Sequence, residues 1–82
     1  MYIRFHSHAL QRLSERGASQ EEVIYTIQRG ERFPAKLGRT GFRKNFVYNS
    51  EWMGRWYYTK QIEALAVEEN GWLVITVIVK YF

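Results

Sequence analysis

The chain contains no cysteine and no aspartate, one proline and two histidines. Each shortage removes a class of chemistry. Without cysteine there is no disulfide staple, no thiolate nucleophile and no Cys-based structural zinc. Without aspartate, the clustered carboxylates of a magnesium-dependent or two-metal nuclease are hard to assemble, and His6-x-His8 is too small a constellation to hold zinc alone. No metal site and no cofactor are expected. A glycine-rich phosphate loop and a nucleophile elbow are also missing. The longest strongly apolar run, "WLVITVIV" (residues 72–79), falls far short of the roughly 20 residues that span a bilayer, so no membrane partner is expected. The start "MYIRFHSH" lacks the apolar run of a secretory signal, and a cytoplasmic protein is the expectation.

What is present fits one small domain, since 82 residues bury one core and no more. An apolar fraction of 46%, with fourteen aromatic residues, must supply nearly all of the stabilisation. The net charge of +4 is unevenly spread. Between Arg29 and Lys60 eight basic residues face two acidic ones, among eight aromatics that include Trp56, Tyr57 and Tyr58. Cations that neutralise phosphates, interleaved with rings on which bases stack, are the footprint of a nucleic-acid binder. Strands favour aromatics anyway and keep cations on their wet side, so composition leaves both readings open.

Local signals place two helices first. One runs from His6 or Ser7 to Arg16, ended by Gly17, with Ala9, Leu10 and Leu13 as its buried stripe. Ser19 opens the second with a capping box to Glu22, Val23, Ile24 and Ile27 follow at helical spacing, and Gly30 stops it. The period then changes. "ERF" reads as a short edge strand ended by Pro34, "AKLGRTG" as a mobile basic loop, and residues 42–49 and 55–61 as strands around the turn in "SEWMG". The strongest signal is "IEALAVEENGWLVITVIV", two strands around an Asn70-Gly71 pair.

A two-residue turn sets Glu69 opposite Trp72 and fixes both faces of that hairpin. Ile62, Ala64 and Ala66 opposite Val79, Val77 and Ile75 form the core face, where the alanines let a helix lie close. Gln61, Glu63, Leu65 and Val67 opposite Lys80, Ile78, Thr76 and Val74 form a partly polar open face. The expected fold is α+β, with both N-terminal helices on one face of a three- to four-stranded antiparallel sheet.

His8, Arg12 and Arg16 share one rim of the first helix within an arc of about 80°. A phosphate can contact both His8 and Arg12, and the imidazole can transfer protons near neutral pH. The plainer reading pairs Glu15 with Arg12 or Arg16 on a solvated helix. His6, at the helix entrance, reads as a cap or packing residue. The chemistry these residues permit is metal-free RNA cleavage, in which the substrate's own 2′-hydroxyl attacks and the protein supplies a base, an acid and cations.

The stretch His8–Glu31, with His8, Ala9, Arg12, Leu13, Arg16, Gly17, Ser19, Glu22 and Gly30 at signature positions, resembles a family of small, mostly uncharacterised bacterial domains. The strand "VITVIV" (residues 74–79) resembles its closing strand. That family is grouped with RelE-like toxins and related metal-independent ribonucleases. The resemblance therefore implies a RelE-like fold, cleavage of messenger RNA, including ribosome-bound messenger RNA, and an acidic antitoxin as partner. It carries over only His8, Arg12 and Arg16 as site residues; in the middle of the chain the match is limited to a basic residue on the first long strand, such as Arg43 or Lys44, and Arg43, Glu63 and Lys80 enter from register and charge.

The expected assignment is a toxin-type ribonuclease. His8 transfers the proton, Arg12 and Arg16 hold the scissile phosphate, and Arg43, Lys44 and Lys80 contact RNA, with Tyr57 as a stacking ring. Register and charge make Glu63 a second acid or base, unless it simply pairs across strands with a lysine. The rival is a non-catalytic RNA-binding or protein-interaction module that uses residues 29–60.

Overall fold

The computed structural model describes residues 2–82. Its elements are β1 (Ile3–Phe5), α1 (Ser7–Arg16), α2 (Gln20–Arg29), β2 (Glu31–Pro34), a 3₁₀ turn (Lys36–Gly38), β3 (Thr40–Trp52), β4 (Arg55–Glu68) and β5 (Trp72–Tyr81). None of its helices is long and apolar enough to cross a membrane.

Both helices begin and end where local chemistry dictates. His6 is the N-cap of α1, its side chain accepting from the His8 N–H, and Gly17 closes the helix in the left-handed region at φ 76°. Ser19 and Glu22 form the full capping box of α2, and Gly30 ends it with its N–H on the Thr26 carbonyl. Ala9 and Leu13 of α1 and Val23, Thr26 and Ile27 of α2 are buried. Leu10, expected in the buried stripe, is 40% exposed. Thr26 enters the core because its hydroxyl donates to the Glu22 carbonyl at 2.8 Å and leaves no polar group unpaired.

The sheet differs from expectation. It has five strands in the order β1-β5-β4-β3-β2, and it is mixed: β1 runs parallel to β5, and every other pair is antiparallel. The expected RelE-like arrangement on three or four antiparallel strands does not hold. The reason lies in "IRF", three residues too short to show a period of two and placed directly against a helix start.

The arrival of β1 also changes the hairpin. The Trp72 N–H donates to the Tyr2 carbonyl at 2.8 Å rather than to Glu69. Glu68, not Glu69, then pairs with Trp72, and the turn holds Glu69, Asn70 and Gly71. Gly71 is required twice over, by φ 93° and because a Cβ there would lie 2.2 Å from the Tyr2 carbonyl oxygen. A bulge at Ile75 of β5, between the Leu65–Thr76 and Ala66–Val74 pairs, restores the expected register from Leu65–Thr76 to Gln61–Lys80. In consequence Val74 is buried in the core and Ile75 is only half-buried, the reverse of their expected faces. Thr40 and Gly41 belong to β3 rather than to the preceding basic loop.

The core lies between the helices and one sheet face, where Ile62, Ala64, Ala66, Val74 and Val77 are fully or nearly fully buried with Phe42 and Trp72. Beneath the turn between the helices sits a cation. Lys60, 7% exposed, donates to the Gly17 carbonyl at 2.9 Å and pairs with Glu22 Oε2 at 2.8 Å. Its register partner Tyr81 donates to the Arg16 carbonyl at 2.8 Å and stacks on Trp52, ring centroids 4.9 Å apart. Two neighbouring sheet side chains thus satisfy carbonyls at the C-terminal end of α1, where a cation also complements the helix dipole.

Replacing Lys60 with Met is expected to cost about 3 kcal/mol, because the Glu22 carboxylate and the Gly17 carbonyl lose their partner, and urea unfolding measures this. Burial first, then the neighbouring Tyr48 and Glu22, push the Tyr81 phenol up to about 12 from its ordinary 10.0. A raised phenol pKa means the unfolded chain loses its proton first, so stability present below pH 10 falls as pH rises towards 12. Thermal melts across that range should show a smaller alkaline loss in Tyr81→Phe than in the natural chain.

Candidate active site

Alpha-helix α1 follows β1 directly and runs along β5, so the helix flank meets the strand beyond the point where β1 ends. Between them lies a cleft of about 160 Å³ lined by His8, Ala9, Arg12, Arg16, Ile75, Thr76 and Val77. The three residues read from the first helix therefore converge on one site. Arg16 reaches across and donates through Nη1 to the Val77 carbonyl, which leaves the rest of its guanidinium fork for a ligand. Neither Arg12 nor Arg16 forms an ion pair among the described residues, so the pairing with Glu15 is not made. His8 is exposed, and its backbone N–H donates to His6 Nδ1 at 3.1 Å. The two imidazole rings meet edge-on with centroids 5.8 Å apart.

The other sequence-derived candidates lie elsewhere. Arg43 and Glu63 are register partners on the open sheet face. Arg43 donates from Nε at 3.0 Å and Nη2 at 2.8 Å to Glu63 Oε1, and from Nη1 at 3.2 Å to Glu31. The hydrogen bonds that Arg43 donates to Glu63 raise the Arg43 pKa, against a smaller opposing effect of burial. Its guanidinium also lies 4.4 Å from the Phe33 ring centroid. The proposed phosphate contact and the proposed second acid thus satisfy each other. Lys80 is exposed one row along on the same face, opposite Gln61. Lys44 is on the helix-covered face, 5.4 Å from the Tyr25 ring and 5.7 Å from the Phe46 ring. Tyr57 packs beside Tyr81 and under Arg55, each 5.7 Å away.

Sequence reasoning missed Ile75, Thr76 and the Val77 carbonyl as the second wall of the cleft. The bulge that presents them leaves no sequence signal, because it exists only to reconcile the β1 contact with the hairpin register. Among the described residues no group of three or more His, Cys, Asp or Glu side chains could hold a metal ion. The chain matches no protein-family model, no curated protein and no solved structure.

The cleft offers a proton-transfer group and two uncompensated guanidinium groups at a partly enclosed surface, the equipment of an oxyanion or phosphate site. The open face offers a guanidinium already neutralised by two carboxylates. Arg12→Ala should therefore weaken binding of an RNA oligonucleotide about tenfold while Arg43→Ala changes it less than about twofold, read by fluorescence anisotropy at one fixed salt concentration.

Proposed function

We propose that the chain is a metal-independent endoribonuclease of toxin type that acts on RNA in the cytoplasm, with the cleft between α1 and β5 as its active site. The observation that carries this reading is the convergence of His8, Arg12 and Arg16 on one cleft in which no carboxylate neutralises either arginine. In the proposed reaction the 2′-hydroxyl of the substrate attacks the adjacent phosphorus and the bond to the 5′-oxygen breaks. His8 accepts the hydroxyl proton. Arg12 and Arg16 hold the phosphate oxygens and stabilise the charge that builds on them. The Val77 carbonyl fixes the Arg16 fork before substrate arrives, so less orientation entropy is lost on binding. Glu63 is engaged by Arg43 on the opposite face and takes no part, and the leaving 5′-oxygen takes its proton from solvent water.

A second reading, a non-catalytic RNA-binding module, draws support from the projecting tip of β3 and β4. There Trp56 is 59% and Tyr58 71% exposed, rings on which bases can stack.

Incubation with end-labelled RNA in EDTA separates the two readings. Cleavage is expected, with His8→Ala slower by about 100-fold and folded as judged by circular dichroism. Intact RNA, with binding retained, would replace the ribonuclease reading with the module.

A further inference from the structure

Beyond the Thr59–Phe82 backbone pair, where β5 has ended, β3 and β4 continue as a two-stranded arm. One side of the arm is sealed, by Tyr48, Trp52 and Tyr57 around the Tyr81 ring. The other side is bare. Trp56 and Tyr58 stand two residues apart on β4, both exposed. The Trp56 N–H already donates to Asn49 Oδ1 at 3.3 Å, so what the ring has left for a partner is apolar surface. A groove of about 160 Å³ lined by Asn45, Phe46, Val47, Tyr58 and Thr59 joins these rings to the Tyr25–Phe46 pair, whose centroids lie 6.1 Å apart. An apolar band thus runs from α2 across β3 to the arm, with Tyr25 and Val47 also exposed. A contiguous band of this kind marks an interaction surface, and tyrosine and tryptophan are the residues that protein interfaces favour.

The charges on the band point to its partner. Lys44 lies over the Tyr25 and Phe46 rings at one end, and Glu51, the register partner of Trp56, stands at the other. Neither forms an ion pair among the described residues. One cation and one anion cancel, so the band is a poor seat for a phosphate chain, which needs uncompensated cations. A two-fold axis through the middle of the band reverses it. Lys44 of each copy then meets Glu51 of the other, with the aromatic rings packed between the two charge pairs. We infer that this band is the interface of a homodimer. α1 packs on β5 whereas α2 packs on β3 and β4, so the His8 cleft lies away from the band and both clefts of the dimer stay open.

The dimer goes beyond the proposed ribonuclease activity and does not depend on it. Sedimentation equilibrium of the full chain at physiological salt should show dimerisation with a dissociation constant of about 10 μM. Lys44→Glu alone and Glu51→Lys alone each set like charges together at both ends of the band, and each should weaken the dimer about tenfold or more. Mixed in equal amounts, the two variants regain both opposite-charge contacts and should form a heterodimer as tight as the natural homodimer. Tyr58→Glu, at an exposed ring, should give a monomer, with all three variants folded by circular dichroism. The proposal is overturned if the natural chain remains a monomer at about 500 μM. A monomer whose Trp56 indole signal moves on addition of an RNA oligonucleotide would overturn it in favour of base stacking on the arm. It is equally overturned if either single reversal dimerises as tightly as the natural chain, or if the mixture of folded variants stays monomeric.

Discussion

Lys60 holds the two layers of this molecule together at the point where the helices turn. Its ammonium is almost wholly removed from water, and it is tolerable there because the Glu22 carboxylate and the Gly17 carbonyl both receive it. Glu22 serves two masters, with Oε1 accepting from the Ser19 N–H in the capping box and Oε2 accepting from Lys60. The start of α2, the end of α1 and the middle of β4 are thereby locked to a single group. Tyr81, opposite Lys60 in the register, adds the Arg16 carbonyl to the same lock. Gly17 completes it. A Cβ at that position would lie 2.4 Å from the Tyr81 hydroxyl and 2.7 Å from the Trp52 ring, so a side chain would pry the helix end off the sheet.

The consequence reaches the candidate site. With its C-terminal end tied to Lys60 and Tyr81 and its N-terminal end tied through His6 to the Val74 carbonyl at 2.9 Å, α1 cannot slide along β5. His8, Arg12 and Arg16 are held against the strand by those two anchors, and the cleft is the gap the anchors leave. The electrostatics of the two sheet faces then diverge. The open face compensates its own charge, through the row of Glu31, Arg43 and Glu63 across three strands. The cleft does not, and uncompensated cations beside an imidazole are what an anionic substrate needs.

Much of this frame was legible in the sequence. Gly17, the Ser19–Glu22 box and Gly30 mark both helices because capping is local chemistry, and the two alanines of β4 mark the helix-covered face because close packing needs small side chains. β1 was not legible, since three residues carry no period and a parallel partner 69 residues away leaves no local trace. The swap of Val74 and Ile75 follows from that same contact. Lys60 was legible in principle: it lies in phase with Ile62, Ala64 and Ala66, and the parity of a buried strand face outweighs the usual assumption that a lysine is wet. For Arg43 and Glu63 the register was not readable, because the shift between Val47 and Ser50 breaks the count back from the turn, and their mutual hydrogen bonds turn two supposed site residues into a structural pair. His8, Arg12 and Arg16 share a cleft because helical periodicity had already put them on one rim.

The most direct measurement is a map of backbone and side-chain chemical shifts in the full chain during titration with an RNA oligonucleotide whose 2′-hydroxyls are methylated, so that it binds without being cut. Shifts concentrated at His8, Arg12, Arg16 and Thr76, with the Arg43 and Glu63 signals unmoved, are expected. Shifts confined to the open face around Arg43, Glu63 and Lys80, with the cleft silent, would contradict a cleft-bound substrate.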